Sequence, residues 1–158
     1  MPAFGVDTAA LERAYREIQT RIHPDRYAQA GEAERRASMQ WTTRVNEAYR
    51  ILASPVQRAK YLLELNGVDV GFETNTQMPP EFLARQLELR EALAEARSAP
   101  ALDRLNAEVR AESGGLLRAI GELLDERRDL PAAAGELRKL VFLEKLAEQI
   151  ERAYEEAG

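Results

Sequence analysis

The stretch RIHPDRYAQ, residues 21–29, holds the single histidine of a 158-residue chain, followed at once by a proline and an aspartate. A histidine beside a carboxylate can have its imidazole oriented for general-base catalysis. Several features weigh against that use. The chain has no cysteine, and no serine sits in a G-x-S-x-G elbow, so a nucleophile for such a base is lacking. Pro24 stiffens the link, so adjacency alone does not aim Asp25 at the ring. The flanking Arg21, Arg26, Tyr27 and Gln29 have the character of an exposed loop, not of a pocket. A second use is a helix stop: Pro24 ends a helix and pushes His23 toward extended geometry. That explains the proline but neither polar neighbour. The third use is recognition. A rigid polar tip between two helices presents a preformed surface at low entropic cost. Arg13, Arg16, Arg21 and Arg26 would steer an acidic partner toward it, although arginines on a helix also serve simply to solvate a face.

Composition narrows the choice. Hydrophobic residues make up 45% and charged residues 31%, which suits a globular domain with a core. No stretch approaches the roughly 20 apolar residues of a membrane span, and MPAFGVDTAALER has no signal-peptide pattern, so a cytoplasmic address is expected. Without cysteine there are no disulfides, zinc ribbons or cysteine-bound clusters. One histidine excludes a histidine-rich metal site; a carboxylate site for a hard cation stays open, although no calcium-loop pattern is present, and neither a metal nor a cofactor is expected. Up to Asn66 there are 10 Lys+Arg against 8 Asp+Glu; from Gly67 there are 12 against 19. The acidic second half argues against nucleic acid, and the contrast suggests two parts with different partners.

The elements that must position the tip are helical nearly throughout. Leu11, Tyr15, Ile18 and Ile22 recur at helical spacing, with Asp7 or Thr8 as the cap and Pro24 as the stop. A second helix is expected over residues 32–53, with Trp41, Val45, Ala48 and Leu52 on one face. Ser54-Pro55 opens a third, which carries Ala59, Leu62 and Leu63 and stops at Asn66-Gly67. The turn-rich GVDVGFETNTQMPP then reads as a linker. Helical patterns return over 81–97, 102–128 and 132–157. Gly114-Gly115 weakens the middle one by about 1 kcal/mol per glycine, which leaves room for a kink or split there. Short connections predict an antiparallel three-helix bundle. The expected organisation is all-α: residues 1–67 as one domain, 68–80 as linker and 81–158 as the bundle.

A helix ending at His23-Pro24-Asp25, a loop, and a helix carrying VNEAYRIL (residues 45–52) together resemble a J-domain. J-domains stimulate the ATPase of DnaK-type chaperones. The second half sharpens the resemblance. ASPVQRAKYLLELNG (53–67), FLARQLELREAL (82–93) and RKLVFLEKL (138–146) are similar to the HscB family, J-type co-chaperones of iron–sulfur cluster assembly. The resemblance covers nearly the whole chain. It implies a non-enzymatic protein with two protein partners: an HscA/DnaK-type ATPase chaperone and an IscU-type cluster scaffold. It implies that His23, Pro24 and Asp25 meet the chaperone, supported by Tyr15, Arg16 and Arg26.

On the helix from residue 81, Phe82, Leu89 and Leu93 fall on one side, expected to be core. Leu83, Ala84, Leu87, Glu88, Glu91 and Glu95 fall on another, apolar at its start and acidic further on. A generic bundle would bury that stripe or use its glutamates for solubility. The resemblance instead implies that these six residues, with Phe142, hold the scaffold, an apolar centre with an acidic rim. Two departures from the family pattern stand out. J-domains open with a short helix packed across the hairpin, whereas only MPAFGV precedes Asp7 here. Either the chain start is truncated or misassigned or this member lacks the helix; if it is absent, Leu11, Ile18 or Trp41 is expected to be partly exposed. The cysteine pair of some relatives is absent. A plain helical adaptor and a general J-protein remain the competing classes, the latter usually having a Gly/Phe-rich segment and a zinc-binding region that this chain lacks.

Overall fold

The computed structural model describes residues 3–70 and 78–157. All regular elements among them are helical: α1 (Thr8–Ile22), α2 (Glu32–Ala53), α3 (Pro55–Leu65), α4 (Pro80–Glu95), α5 (Ala99–Gly121) and α6 (Leu130–Ala157). The boundaries follow local chemistry. The Asp7 side chain caps α1 by accepting from the N–H groups of Ala9 and Ala10. Pro55 opens α3, where its missing N–H is no loss, and the Ser54 hydroxyl accepts from Gln57 N–H at 3.4 Å. Gly67 at φ 76° ends it, a left-handed position that glycine reaches freely.

The chain forms two compact units, Met1–Tyr61 and Leu62–Gly158. The expected linker, 68–80, lies partly outside the described residues, since 71–77 are not among them. In the first unit α1 and α2 form a hairpin that buries little. No α1 residue is buried, and only Ser38 is buried in α2. Residues 3–7 form no helix. Phe4 is instead buried, with the Arg58 guanidinium 4.7 Å from its ring centroid. Ile18 (42%) and Trp41 (55%) are exposed, while Leu11 is half-buried.

In the second unit α6 supplies more of the core than any other helix. Ala134, Leu137, Leu140, Leu143, Leu146 and Ile150 recur at steps of three and four and are all buried, with Ala133 beside them. Leu143, Leu146 and Ile150 close on Leu89 of α4 and on Leu105 and Val109 of α5. Each such Leu or Ile contributes about 1.5–3 kcal/mol on burial. Tyr154, near the end of α6, donates to Asp103, near the start of α5, so those two helices run antiparallel. Arg85, near the start of α4, reaches Glu108 and Glu112, further along α5, as an antiparallel neighbour must.

Two expectations are corrected. α5 runs unbroken through Gly114 and Gly115, because packing against α6 outweighs the propensity cost. The distortion comes later, as a π turn over Glu122–Glu126 that precedes Arg128 at φ 54°. Phe82, expected in the core, is only half-buried.

Candidate functional site

The first candidate site is the turn after α1. His23 has ψ 133°, the extended geometry required before proline, and Pro24–Tyr27 form one 3₁₀ turn. The turn is braced from within. His23 N–H donates to Gln19 O at 2.9 Å, Arg26 Nη1 to Thr20 O at 3.2 Å, and the Tyr27 hydroxyl to Arg21 O at 3.3 Å. From α2, the Ser38 and Thr42 hydroxyls donate to Ile22 O, so the last turn of α1 is pinned to its neighbour.

The two charged or chargeable side chains of the tip are left open. The His23 side chain is 51% exposed and that of Asp25 93%. His23 Nδ1 accepts the Asp25 N–H at 3.1 Å, which fixes the tautomer with the proton on Nε2. Asp25 Oδ2 lies 3.6 Å from Nδ1, a nitrogen already used as an acceptor, so the pair is not arranged as base and orienter. Of the supporting residues, Arg26 closes the turn and Arg16 pairs with Glu12 at 2.6 Å along α1. Tyr15 points elsewhere. Its hydroxyl donates to Asn46 Oδ1, Gln19 Nε2 donates to it at 2.8 Å, and its ring packs 4.1 Å from that of Tyr49. Tyr15 therefore clamps α1 to α2 about two helical turns before the tip.

The second candidate site is an open cleft between α4 and α6, about 370 Å³, lined by Phe82, Leu83, Gln86, Leu87, Arg90 and Phe142. Leu83 (47%) and Leu87 (62%) are large apolar side chains left exposed on a folded helix. Phe82 and Phe142 meet edge to face at 6.4 Å and form the wall. The ammonium groups of Lys139 and Lys145 lie 5.9 Å from the Phe82 centroid and 6.0 Å from that of Phe142. Of the seven residues expected on this face, Leu83, Leu87 and Phe142 converge in the cleft. Ala84, Glu88, Glu91 and Glu95 are exposed on α4 but do not line it.

Glu88 is also engaged. Arg85 Nη1 holds it at 3.1 Å, while Nη2 reaches Glu108 at 3.1 Å and Nε reaches Glu112 at 2.6 Å. The bond to Glu112 leads in raising the Arg85 pKa above its ordinary value, against the cost of burial, with Glu88 and Glu108 adding to it. Phe82, Gln86 and Arg90 were not anticipated as lining residues. Spacing placed Phe82 with the core stripe, and nothing in a helical wheel distinguishes a glutamine or arginine beside a cleft from one in solvent.

A profile of the HscB C-terminal oligomerisation domain matches residues 78–151. The HscB co-chaperone homologue of Burkholderia multivorans is 51% identical over 154 residues, spanning 95% of this chain and 87% of the relative. That of Cupriavidus taiwanensis is 53% identical over 146 residues, spanning 90% and 82%. The chain belongs to the HscB co-chaperone family. Solved HscB structures agree. Chaperone HscB from Vibrio cholerae superposes with a TM-score of 0.86 at 33% identity, over 100% of this chain and 94% of that one. Human co-chaperone HscB gives 0.91 at 32% identity, over 96% and 77%. Family membership brings the co-chaperone role in iron–sulfur cluster assembly that the sequence resemblance implied. Among the described residues no helix is long and apolar enough to cross a membrane.

Proposed function

We propose that this HscB-family chain brings an IscU-type scaffold protein to an HscA/DnaK-type chaperone in the cytoplasm and stimulates the chaperone's ATPase. The observation that supports it most directly is the exposed, internally braced His23-Pro24-Asp25 tip. Asp25 offers a nearly free carboxylate to the chaperone's charged docking surface. His23 offers Nε2–H at a fixed angle, because Nδ1 is held by the backbone. Little side-chain or loop ordering is then required on contact. The bundle holds the scaffold, with Leu83, Leu87 and Phe142 as apolar anchors and Ala84, Glu88, Glu91 and Glu95 around them. Joining both contacts in one chain converts the second encounter into an intramolecular one and raises the effective concentration of scaffold at the chaperone. The chain makes no covalent change of its own.

The test is ATP turnover by the cognate HscA-type chaperone, with and without this protein and the scaffold, and with His23→Gln as the control. Stimulation that depends on His23 and rises further with scaffold is the expected result. His23→Gln should leave helicity unchanged, since the residue lies on an exposed tip. Stimulation equal to wild type in that variant would refute a role for the tip.

A further inference from the structure

Gln86 is the anomaly of the α4–α6 cleft. It is only 6% exposed, and its amide nitrogen is shielded from solvent yet finds no hydrogen-bond acceptor among the described residues. The other side chains lining the cleft are Phe82, Leu83, Leu87, Arg90 and Phe142. None of them can accept a hydrogen bond: four are hydrocarbon, and a guanidinium only donates. The backbone carbonyls of this stretch of α4 are committed to the helix ladder. A shielded donor without an acceptor disfavours the free protein, whereas a methionine would fill the same volume without that cost.

We infer that Gln86 is the polar specificity contact of this cleft, donating its side-chain N–H to a main-chain carbonyl oxygen of the protein segment that docks there. The inference rests on the cleft being the scaffold face proposed above. It adds what the apolar anchors cannot supply. Leu83, Leu87 and Phe142 accept any apolar side chain of suitable size, but a buried donor rejects a segment that brings no acceptor. The nitrogen is shielded from the cleft in the free protein, so docking has to displace the side chains that cover it and turn the amide about its broad terminal torsion toward the docked backbone. Arg90 adds a second donor at the cleft, so the lining as a whole selects for acceptors.

The experiment compares the full chain with Gln86→Met, Gln86→Glu and Leu87→Ala. It uses calorimetric titration with purified IscU-type scaffold, thermal melts of the free proteins, and the Gln86 side-chain amide signal by ¹⁵N NMR. Gln86→Met should melt at or above the wild-type temperature and yet bind about ten-fold more weakly, the equivalent of roughly 1.4 kcal/mol. Gln86→Glu, which exchanges the donor for an acceptor, should bind more weakly still. The wild-type Gln86 amide protons should shift downfield on binding. If Gln86→Met loses stability and affinity together, the residue is structural and the inference is overturned. If Leu87→Ala weakens binding while Gln86→Met binds like wild type, Gln86 has no role at a cleft that is otherwise correctly assigned. If neither variant weakens binding, the scaffold docks elsewhere, and both the assignment of the cleft and the role of Gln86 fall.

Discussion

Leu87→Ala separates binding from folding, and its two effects can be sized from exposure. Burying a leucine side chain completely yields about 1.5–3 kcal/mol. Leu87 is 62% exposed, so well over half of that gain is unspent in the free protein. A partner that covers it recovers about 1–2 kcal/mol, and the alanine variant should bind scaffold about 5- to 30-fold more weakly. The buried remainder limits the loss of folding stability to about 1 kcal/mol, reduced further by the higher helix propensity of alanine. Leu89, two positions along, gives the opposite case. It is 1% exposed inside the α4–α5–α6 core, and its truncation should cost about 2–5 kcal/mol. Calorimetric titration against scaffold and thermal melts on both variants decide the matter. Undiminished affinity in Leu87→Ala would remove this face from the interface. A stability loss equal to that of Leu89→Ala would show that Leu87 is packed in solution and that its exposure is not available for docking.

Further outcomes follow from charge. Arg85→Met removes three ion pairs and leaves Glu88, Glu108 and Glu112 facing one another, so stability should fall by about 1 kcal/mol after allowance for solvent screening. The loss should shrink in about 1 M salt, and an equal loss at low and high salt would argue against it. Glu144 is exposed on α6 but partly desolvated by its neighbours, and this, followed by the like charge of Glu148, raises its pKa, so the effect on stability is small. The folded state therefore holds this proton more tightly than the unfolded chain, and ionisation of Glu144 lowers stability as pH rises out of the ordinary carboxylate range. Glu144→Gln should melt higher than wild type at pH 7 and lose that advantage as the pH is brought below about 4. A pH-independent difference would point to packing instead.

The helices were legible because their ends are written in local chemistry. Asp7, Ser54-Pro55 and Gly67 act within four residues of where they stand, and the structure uses each as a cap or stop. The glycine pair at 114–115 misled for the complementary reason. Propensity is a local quantity worth about 1 kcal/mol, and the contacts of α5 with α6 are long-range and larger. Pattern placed Leu83 and Leu87 on one face of α4, but exposure depends on what the neighbouring helix leaves uncovered. The same holds for Phe82: periodicity assigns it to the side of Leu89, and only the position of Phe142 shows it as the wall of a cleft. Tyr15 falls on the apolar stripe of α1 with Leu11 and Ile18, yet Asn46, which holds its hydroxyl, lies 31 residues away. No window on the sequence spans that distance.

The two candidate sites share one physical arrangement, and it bears on the proposed delivery. In each, backbone and buried contacts hold rigid a small set of side chains whose functional ends are left unsatisfied. At the tip, the hydrogen bonds of His23 N–H, Nδ1, Arg26 and Tyr27 run inward, leaving Asp25 and Nε2 of His23 outward. At the cleft, Leu89 and Arg85 anchor α4 to its neighbours, leaving Leu83 and Leu87 uncovered one helical turn apart. Each site offers only a few anchors to offset the entropy of association. On the proposed delivery, joining both in one chain raises the effective concentration of one partner at the other. The unequal charge of the two halves fits the proposal of two different partners. The second half, with 12 Lys+Arg against 19 Asp+Glu, repels an acidic partner suited to the arginines of α1, while the first half, with 10 against 8, lacks the negative field that favours a basic one.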